Sequence, residues 1–272
     1  MTTLTSTMDA DRIARIFAEI ASTAGRVVME VYATDFEARV KADQSPVSDA
    51  DERAEEIILE RLAKELPGVP VLAEEEAARS DETFTFKSEF ILVDPVDGTR
   101  EFLKRKPDFT VNIALANGDG IVAGCVYAPA RKDLYVGGAN AYLVEHLEPG
   151  AAPEIETRGQ RIHTRAYPSE GLTAAVSSSH LDKDTEAFLS RIPVAARNGI
   201  GSSLKFCLIA RGLADVYPRW GPTMEWDTGA GQAVLQAAGG RVLTPEGGPH
   251  IYGKRDKNFR NGPFIAWGRD PL

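Results

Sequence analysis

The sequence predicts an α/β protein in two lobes, an α+β N-terminal lobe over 1–150 and an α/β C-terminal lobe over 151–272. Three observations predict it. Two stretches of helical period open the chain and give way to short apolar runs of strand length. A segment rich in Pro, Gly and Glu, 145–153, then breaks the pattern. Beyond it strand-like and helix-like segments alternate, as they do where helices cover both faces of a sheet. A length of 272 residues suits one large domain or two fused lobes.

In the first helix Ile13, Ile16, Phe17, Ile20, Ala24, Val27 and Val31 recur at steps of three and four and share one face. A polar stretch, 41–48, leads to a second helix with Ala54, Ile57, Ile58, Leu62 and Leu66 inward, stopped by Pro67-Gly68. The runs 69–72 and 90–93 read as buried strands. Residues 109–116 alternate, with Phe109, Val111, Ile113 and Leu115 on one side. Asn117-Gly118-Asp119-Gly120 then signals a hairpin into strands over 121–128 and 134–137. The first lobe is thus two helices on a largely antiparallel sheet. In the second lobe strands are expected at 172–177, 194–196, 214–217 and 241–244. Helices are expected at 182–191, 202–211 and 228–238, the last stopped by Gly239-Gly240.

Composition narrows the function. Apolar residues at 43% and charged ones at 26% exclude a disordered tail protein. A net charge of −9 makes the chain a poor binder of duplex DNA or of an anionic membrane overall. An anionic ligand would need a local source of positive field. Cys125 and Cys207 sit among apolar neighbours, form no disulfide framework and show no zinc spacing, so they read as small buried hydrophobes in a reducing compartment. The first ten residues are polar and no apolar run reaches the ~18 residues of a membrane span, so a cytoplasmic protein without an integral membrane segment is expected.

Carboxylates at strand ends carry the chemistry. The apolar run 90–93 delivers Asp94, where a lone buried carboxylate would be costly unless paired or metal-bound. Asp97 follows three residues later, and a tight turn can aim both at one point. The run 71–73 ends in Glu74-Glu75-Glu76; Glu74 is expected to face inward with Asp94, and Glu75 and Glu76 to face solvent. Asp227, in Trp226-Asp227, precedes a helix, where Asp is a common N-cap and where the positive helix end also seats phosphate. Hard oxygen donors without His or Cys point to Mg2+. Convergent carboxylates can hold two such ions about 4 Å apart, the arrangement that clamps the attacking and leaving oxygens of phosphoryl transfer. Asp51 with Ser48 fits a helix-capping arrangement. Alternatively, Asp51 and the Thr99 hydroxyl form a relay that takes a proton from water; the two roles are compatible.

Asp94-Pro95-Val96-Asp97-Gly98-Thr99 and Trp226-Asp227-Thr228-Gly229-Ala230-Gly231 resemble the two signatures of the inositol monophosphatase superfamily of Mg2+-dependent, lithium-sensitive phosphatases. The likeness narrows to the bacterial 3'(2'),5'-bisphosphate nucleotidase branch, the CysQ type. Lys41-Ala42-Asp43, Ser45-Pro46-Val47-Ser48 and Val71-Leu72-Ala73-Glu74-Glu75 are similar to it. So are Glu101-Phe102-Leu103-Lys104-Arg105, Thr110-Val111-Asn112-Ile113-Ala114-Leu115 and Val126-Tyr127-Ala128-Pro129. Gly201-Ser202-Ser203-Leu204-Lys205-Phe206-Cys207 and Tyr217-Pro218-Arg219-Trp220-Gly221-Pro222-Thr223 continue it.

This resemblance implies an αβαβα layered sandwich. It implies hydrolysis of the 3'-phosphate of adenosine 3',5'-bisphosphate (PAP) to AMP, with the 5'-phosphosulfate analogue (PAPS) a related substrate, in sulfur and nucleotide metabolism. By the same likeness Glu74, Asp94, Asp97, Asp227 and the Val96 carbonyl hold two or three Mg2+ ions, and Asp51 and Thr99 activate the water. Gly98, Thr99, His180, Ser202, Lys205, Arg219 and Asp227 face the substrate. The family's usual Ser-Arg-Ser-His reads Ser177-Ser178-Ser179-His180 here, leaving Arg131 or Arg255 as stand-ins for the absent arginine. Lys104-Arg105-Lys106 reads as a solvated basic run. A homodimer and a loose inner-membrane association are open to such a protein. Inositol or sugar-phosphate hydrolysis on the same scaffold, or a non-catalytic nucleotide-binding regulator, are the alternatives.

Overall fold

The computed structural model describes residues 3–34, 39–40, 46–47, 49–79, 84–86, 88–118, 120–178 and 181–271. In chain order the elements are α1 (Ala10–Tyr32), β1 (Arg39–Val40), β2 (Pro46–Val47), α2 (Asp49–Glu65), β3 (Val71–Ala73), α3 (Glu74–Arg79), β4 (Glu89–Asp97) and α4 (Thr99–Leu103). Then come β5 (Thr110–Asn117), β6 (Gly120–Ala128), β7 (Asp133–Gly137), β8 (Ala141–Val144), α5 (Ile155–Arg158) and β9 (Gln160–Arg161). The rest are β10 (Leu172–Ser177), α6 (Lys183–Leu189), β11 (Val194–Ile200), α7 (Leu204–Ala210), β12 (Val216–Arg219), α8 (Trp226–Ala237), β13 (Arg241–Leu243) and β14 (Phe264–Trp267).

Two larger sheets organise the chain, one of seven strands in the order β3-β4-β5-β6-β7-β8-β9 and one of five in the order β11-β10-β12-β14-β13. In the first only the β3/β4 pair is parallel; in the second β10 runs parallel to both β11 and β12, while β14 opposes β12 and β13. The sequence divides the lobes at 150, and the change of sheet falls between Arg161 and Leu172.

Three apolar clusters show how these parts stack. In the first, Ile13, Phe17 and Ile20 of α1 and Ile58 and Leu62 of α2 meet Val111, Ile113 and Leu115 of β5. In the second, Leu92, Ala114 and Val126 on the opposite face of the same sheet meet Phe206 of α7, Ala230 and Val234 of α8, and Ala175 and Phe264 of the smaller sheet. Leu189 of α6 closes the far face of that sheet over Leu172, Val216 and Ile265. The second cluster joins the middle helices to both sheets, so four interfaces separate five layers and the chain is the expected αβαβα sandwich.

Alternation along β5 explains why α8 fits. Its large residues point to α1 and α2, while Ala114 and Ala116 point to the middle layer. There α8 is buried continuously from Thr228 to Leu235, wedged between sheets, so Gly229-Ala230-Gly231 is as much a packing requirement as a signature. Gly137 of β7 lies close beneath α8: a Cβ there would lie 2.6 Å from backbone atoms of Ala233 and Val234. Gly137→Ala is expected to push α8 off the sheet and cost about 1–3 kcal/mol, read as a lowered melting temperature.

Local chemistry sets the element ends. Asp9 caps α1, accepting from the Arg12 N–H at 2.7 Å. Lys104, Arg105 and Lys106 are exposed, as a solvated run predicts, and Arg105 also donates to the Tyr32 and Thr34 carbonyls and stacks 5.2 Å from the Tyr32 ring, capping the other end of α1. The strand expected at 194–196 runs on to Ile200, and the one expected at 214–217 shifts to Val216–Arg219. The helix expected at 202–211 begins at Leu204, because Ser202 is left-handed at φ 58°. Cys125 and Cys207 are buried and unpaired, as expected. Among the described residues no helix is long and apolar enough to cross a membrane.

Candidate active site

The end of β4 shows how one strand presents two carboxylates. In a regular strand Asp94 and Asp97, three apart, would point to opposite faces. Pairing with β5 instead shifts register between them: Asp94 opposes Asn112, but Asp97 opposes Thr110. Three steps on β4 match two on β5, a bulge that re-aims Asp97. Pro95, which cannot donate to the ladder, occupies the bulge. The strand therefore does not end at 93, as the apolar run suggests, but continues through Asp97. The Val96 N–H donates to Asp94 Oδ1 at 3.1 Å, and the Thr99 hydroxyl donates to the Val96 carbonyl at 3.2 Å. Gly98 makes the turn at φ 92°, and a Cβ there would lie 3.0 Å from the Asp108 carbonyl, so glycine is required twice over.

Other elements bring the remaining acids. Asp51, in the first turn of α2, is only 2% exposed. Its expected cap partner Ser48 lies outside the described residues. Glu74 opens α3 directly after β3 and is partly buried. Of its neighbours Glu76 is exposed as expected, but Glu75 is buried at 3% exposure, contrary to the sequence reading, because the short helix turns it inward. Asp227 sits in the first turn of α8 and accepts from the Met224 N–H at 2.8 Å.

Electrostatics shows that these acids converge. Asp94 is 1% exposed; burial, then Glu74, Asp97, Asp227 and Asp51 in that order, hold its carboxyl well above the usual carboxylate range. Asp227 is raised likewise by burial and then by Asp97 and Glu74, against the pull of the Met224 N–H and the Arg219 guanidinium. Acids from α2, α3, β4 and α8 thus load one region with negative charge. Their donors are hard oxygens, the set that suits Mg2+, and the repulsion they share is what a divalent cation relieves. Among the described residues no three acidic, His or Cys side chains are drawn to closed coordination spacing, so the acids converge without forming a finished cage.

Ser203 and Asn112, to which the sequence reading gave no role, tie the start of α7 to β4, β5 and α8 here. The Ser203 N–H donates to Asp97 Oδ2 at 2.6 Å, and its hydroxyl donates to the Asp227 carbonyl at 2.9 Å. Asn112 Nδ2 donates to the same hydroxyl at 3.1 Å and to Asp97 Oδ2 at 3.4 Å. A polar residue inside the apolar alternation of β5 was the available signal for Asn112. Glu225, fully buried, accepts from the Gly253 N–H at 2.7 Å, the Lys254 N–H at 2.8 Å and Lys254 Nζ at 2.9 Å, and so pins the 252–254 segment against the start of α8.

The expected substrate contacts divide. Ser202, strained into the left-handed region, pairs its hydroxyl with that of Thr110 beside Asp97. Lys205 is buried, donates to the Ser202 carbonyl at 2.6 Å and sits 5.3 Å from the Tyr217 ring centre. Burial pushes its ammonium down to about 8 while Asp97 pulls it up. Arg219 donates to the Gly221 and Pro222 carbonyls, with its charge felt by Asp227. His180 lies outside the described residues. Neither stand-in arginine is free: Arg131 pairs with Asp108 at 2.8 Å, and Arg255 donates to the Phe86 carbonyl at 2.6 Å, stacked on the Phe86 ring.

The sequence pattern of the Inositol monophosphatase family matches residues 9–263. The chain is 39% identical over 248 residues, 90% of its length and 96% of the relative's, to the 3'(2'),5'-bisphosphate nucleotidase CysQ of Escherichia coli (strain K12). A CysQ of Salmonella typhimurium is 40% identical over the same shares. Among solved structures, CysQ from Bacteroides thetaiotaomicron superposes with a TM-score of 0.77 at 35% identity, covering 94% of this chain and 97% of that one.

Proposed function

This chain belongs to the inositol monophosphatase family, and from that premise we propose that it is a Mg2+-dependent phosphatase that removes the 3'-phosphate of PAP to give AMP, and that also accepts PAPS. Its relatives named 3'(2'),5'-bisphosphate nucleotidase, nearly full length on both sides, support the substrate. The observation that carries the chemistry is the burial of Asp94 among Glu74, Asp97, Asp227 and Asp51, each of which raises its carboxyl.

In this reading Glu74, Asp94, Asp97, Asp227 and the Val96 carbonyl hold the Mg2+ ions, which when bound neutralise phosphate charge and polarise its oxygens. The chain's residues do the rest. Asp51 accepts a proton from the attacking water through the Thr99 hydroxyl as the water oxygen bonds to phosphorus. The P–O bond to the ribose 3'-oxygen breaks in line, and that oxygen takes a proton from solvent to become the AMP hydroxyl. Gly98 and Thr99 leave the turn open to the phosphate. Ser202, Lys205, Arg219 and His180 receive the nucleotide's second phosphate, which an inositol monophosphate lacks.

Phosphate release from PAP, inositol 1-phosphate and fructose 1,6-bisphosphate, with Mg2+ and with EDTA, tests this. PAP is expected to be the preferred substrate, with EDTA abolishing release. Preference for either sugar phosphate, or equal rates in EDTA, overturns the reading.

Lys205 gives the site a pH signature. Its amine, held down at about 8 by burial, carries charge only below that value. The plot of kcat/KM for PAP against pH is therefore expected to fall above about pH 8, and Lys205→Met to remove that limb.

A further inference from the structure

The second helix carries a buried carboxylate that the proposed chemistry leaves unused. Glu55 lies one turn after Asp51 on the same face of α2, and each is only 2% exposed. One Glu55 oxygen accepts from the Glu75 N–H and the other from the Glu76 N–H, both at 2.7 Å. These are first-turn donors of α3, which have no partner within their own helix. The residue before that helix, Ala73, has no side-chain oxygen to cap it. The cap comes instead from α2, across 20 residues of sequence. Burial pushes the Glu55 carboxyl up to about 7, against the pull of the two N–H donors.

We propose that Glu55 is the positioning residue for Glu74, fixing the backbone from which Glu74 projects by capping α3 from beneath; this rests on the reading of Glu74 as a Mg2+ ligand. One turn of α2 then serves the site twice. Asp51 faces the Asp94 cluster directly, and Glu55 orients Glu74 through the backbone. Groups that orient a metal ligand are typically worth about 10–100-fold in metal affinity.

The test is a calorimetric Mg2+ titration of the full chain, with thermal melts in EDTA to confirm folding. Glu55→Gln keeps one acceptor oxygen but turns an amide N–H2 toward the second N–H donor. It is expected to weaken Mg2+ binding by about tenfold or more. In a Glu74→Gln background the same change is expected to add less than about twofold, because it acts through Glu74. Unchanged Mg2+ affinity in folded Glu55→Gln, or an equal loss in both backgrounds, overturns the positioning role while leaving the phosphatase reading intact. A wild-type chain that binds no Mg2+ overturns that reading and the positioning role together. Should Glu55→Gln not fold, amide exchange in the wild-type chain decides: Mg2+ is expected to slow the Glu75 and Glu76 amides far more than those of α1, and equal slowing overturns the proposal.

Discussion

Replacing Asp94 by Asn is expected to reduce PAP turnover by about 10^3-fold or more while leaving the fold intact. The side chain keeps its size, and Oδ1 can still accept from the Val96 N–H. What it loses is the charge at the centre of the acidic group, and with it several kcal/mol of electrostatic stabilisation in the transition state. Stability should move the other way. The carboxyl of Asp94 is raised in the folded chain, so its contribution to stability is present at low pH and is lost as pH rises through the folded value. Without divalent cations the wild-type chain is therefore expected to melt higher at mildly acidic than at neutral pH. Asp94→Asn should flatten that dependence and melt no lower than wild type at neutral pH. Turnover at saturating Mg2+ and melts across pH in EDTA measure both. An active Asp94→Asn enzyme contradicts the assignment.

Asp51→Asn separates proton transfer from metal binding. A base lost from the transition state should lower kcat by about 10^2–10^4-fold. KM for PAP and the Mg2+ dissociation constant should change by less than about threefold, since the Asp94, Asp97 and Asp227 carboxylates remain. An equal loss in Mg2+ affinity would make Asp51 a ligand rather than the base. Asp51 reaches this position because α2 packs its inner face on the larger sheet, which buries the carboxylate in the helix's first turn.

Periodicity and composition made the layers legible. Steps of three and four from Ile13 to Val31 and alternation from Phe109 to Leu115 mark the faces that meet beneath α1. Glu74 and Asp94 stood at the ends of apolar runs, where a charge has few inexpensive places to go. What sequence did not carry was the tertiary chemistry. Pro95 and Val96 look like a turn after a strand, but pairing with β5 makes them a bulge inside it. Glu75 and Glu76 look solvated, yet Glu75 is buried, in the first turn of a six-residue helix set over Glu55 of α2. Ser203 gains its role only where the start of α7 meets β4 and α8, by bonding to groups more than twenty residues away on either side. Glu55 resembles any other charge on a helix rich in them until the first turn of α3 is set above it.

The most direct measurement is crystallographic. Crystals grown with Mn2+ in place of Mg2+ should give anomalous density bounded by Glu74, Asp94, Asp97 and Asp227, at a concentration that supports turnover. Cation density elsewhere, or these four side chains ordered with nothing between them under that condition, would contradict the claim.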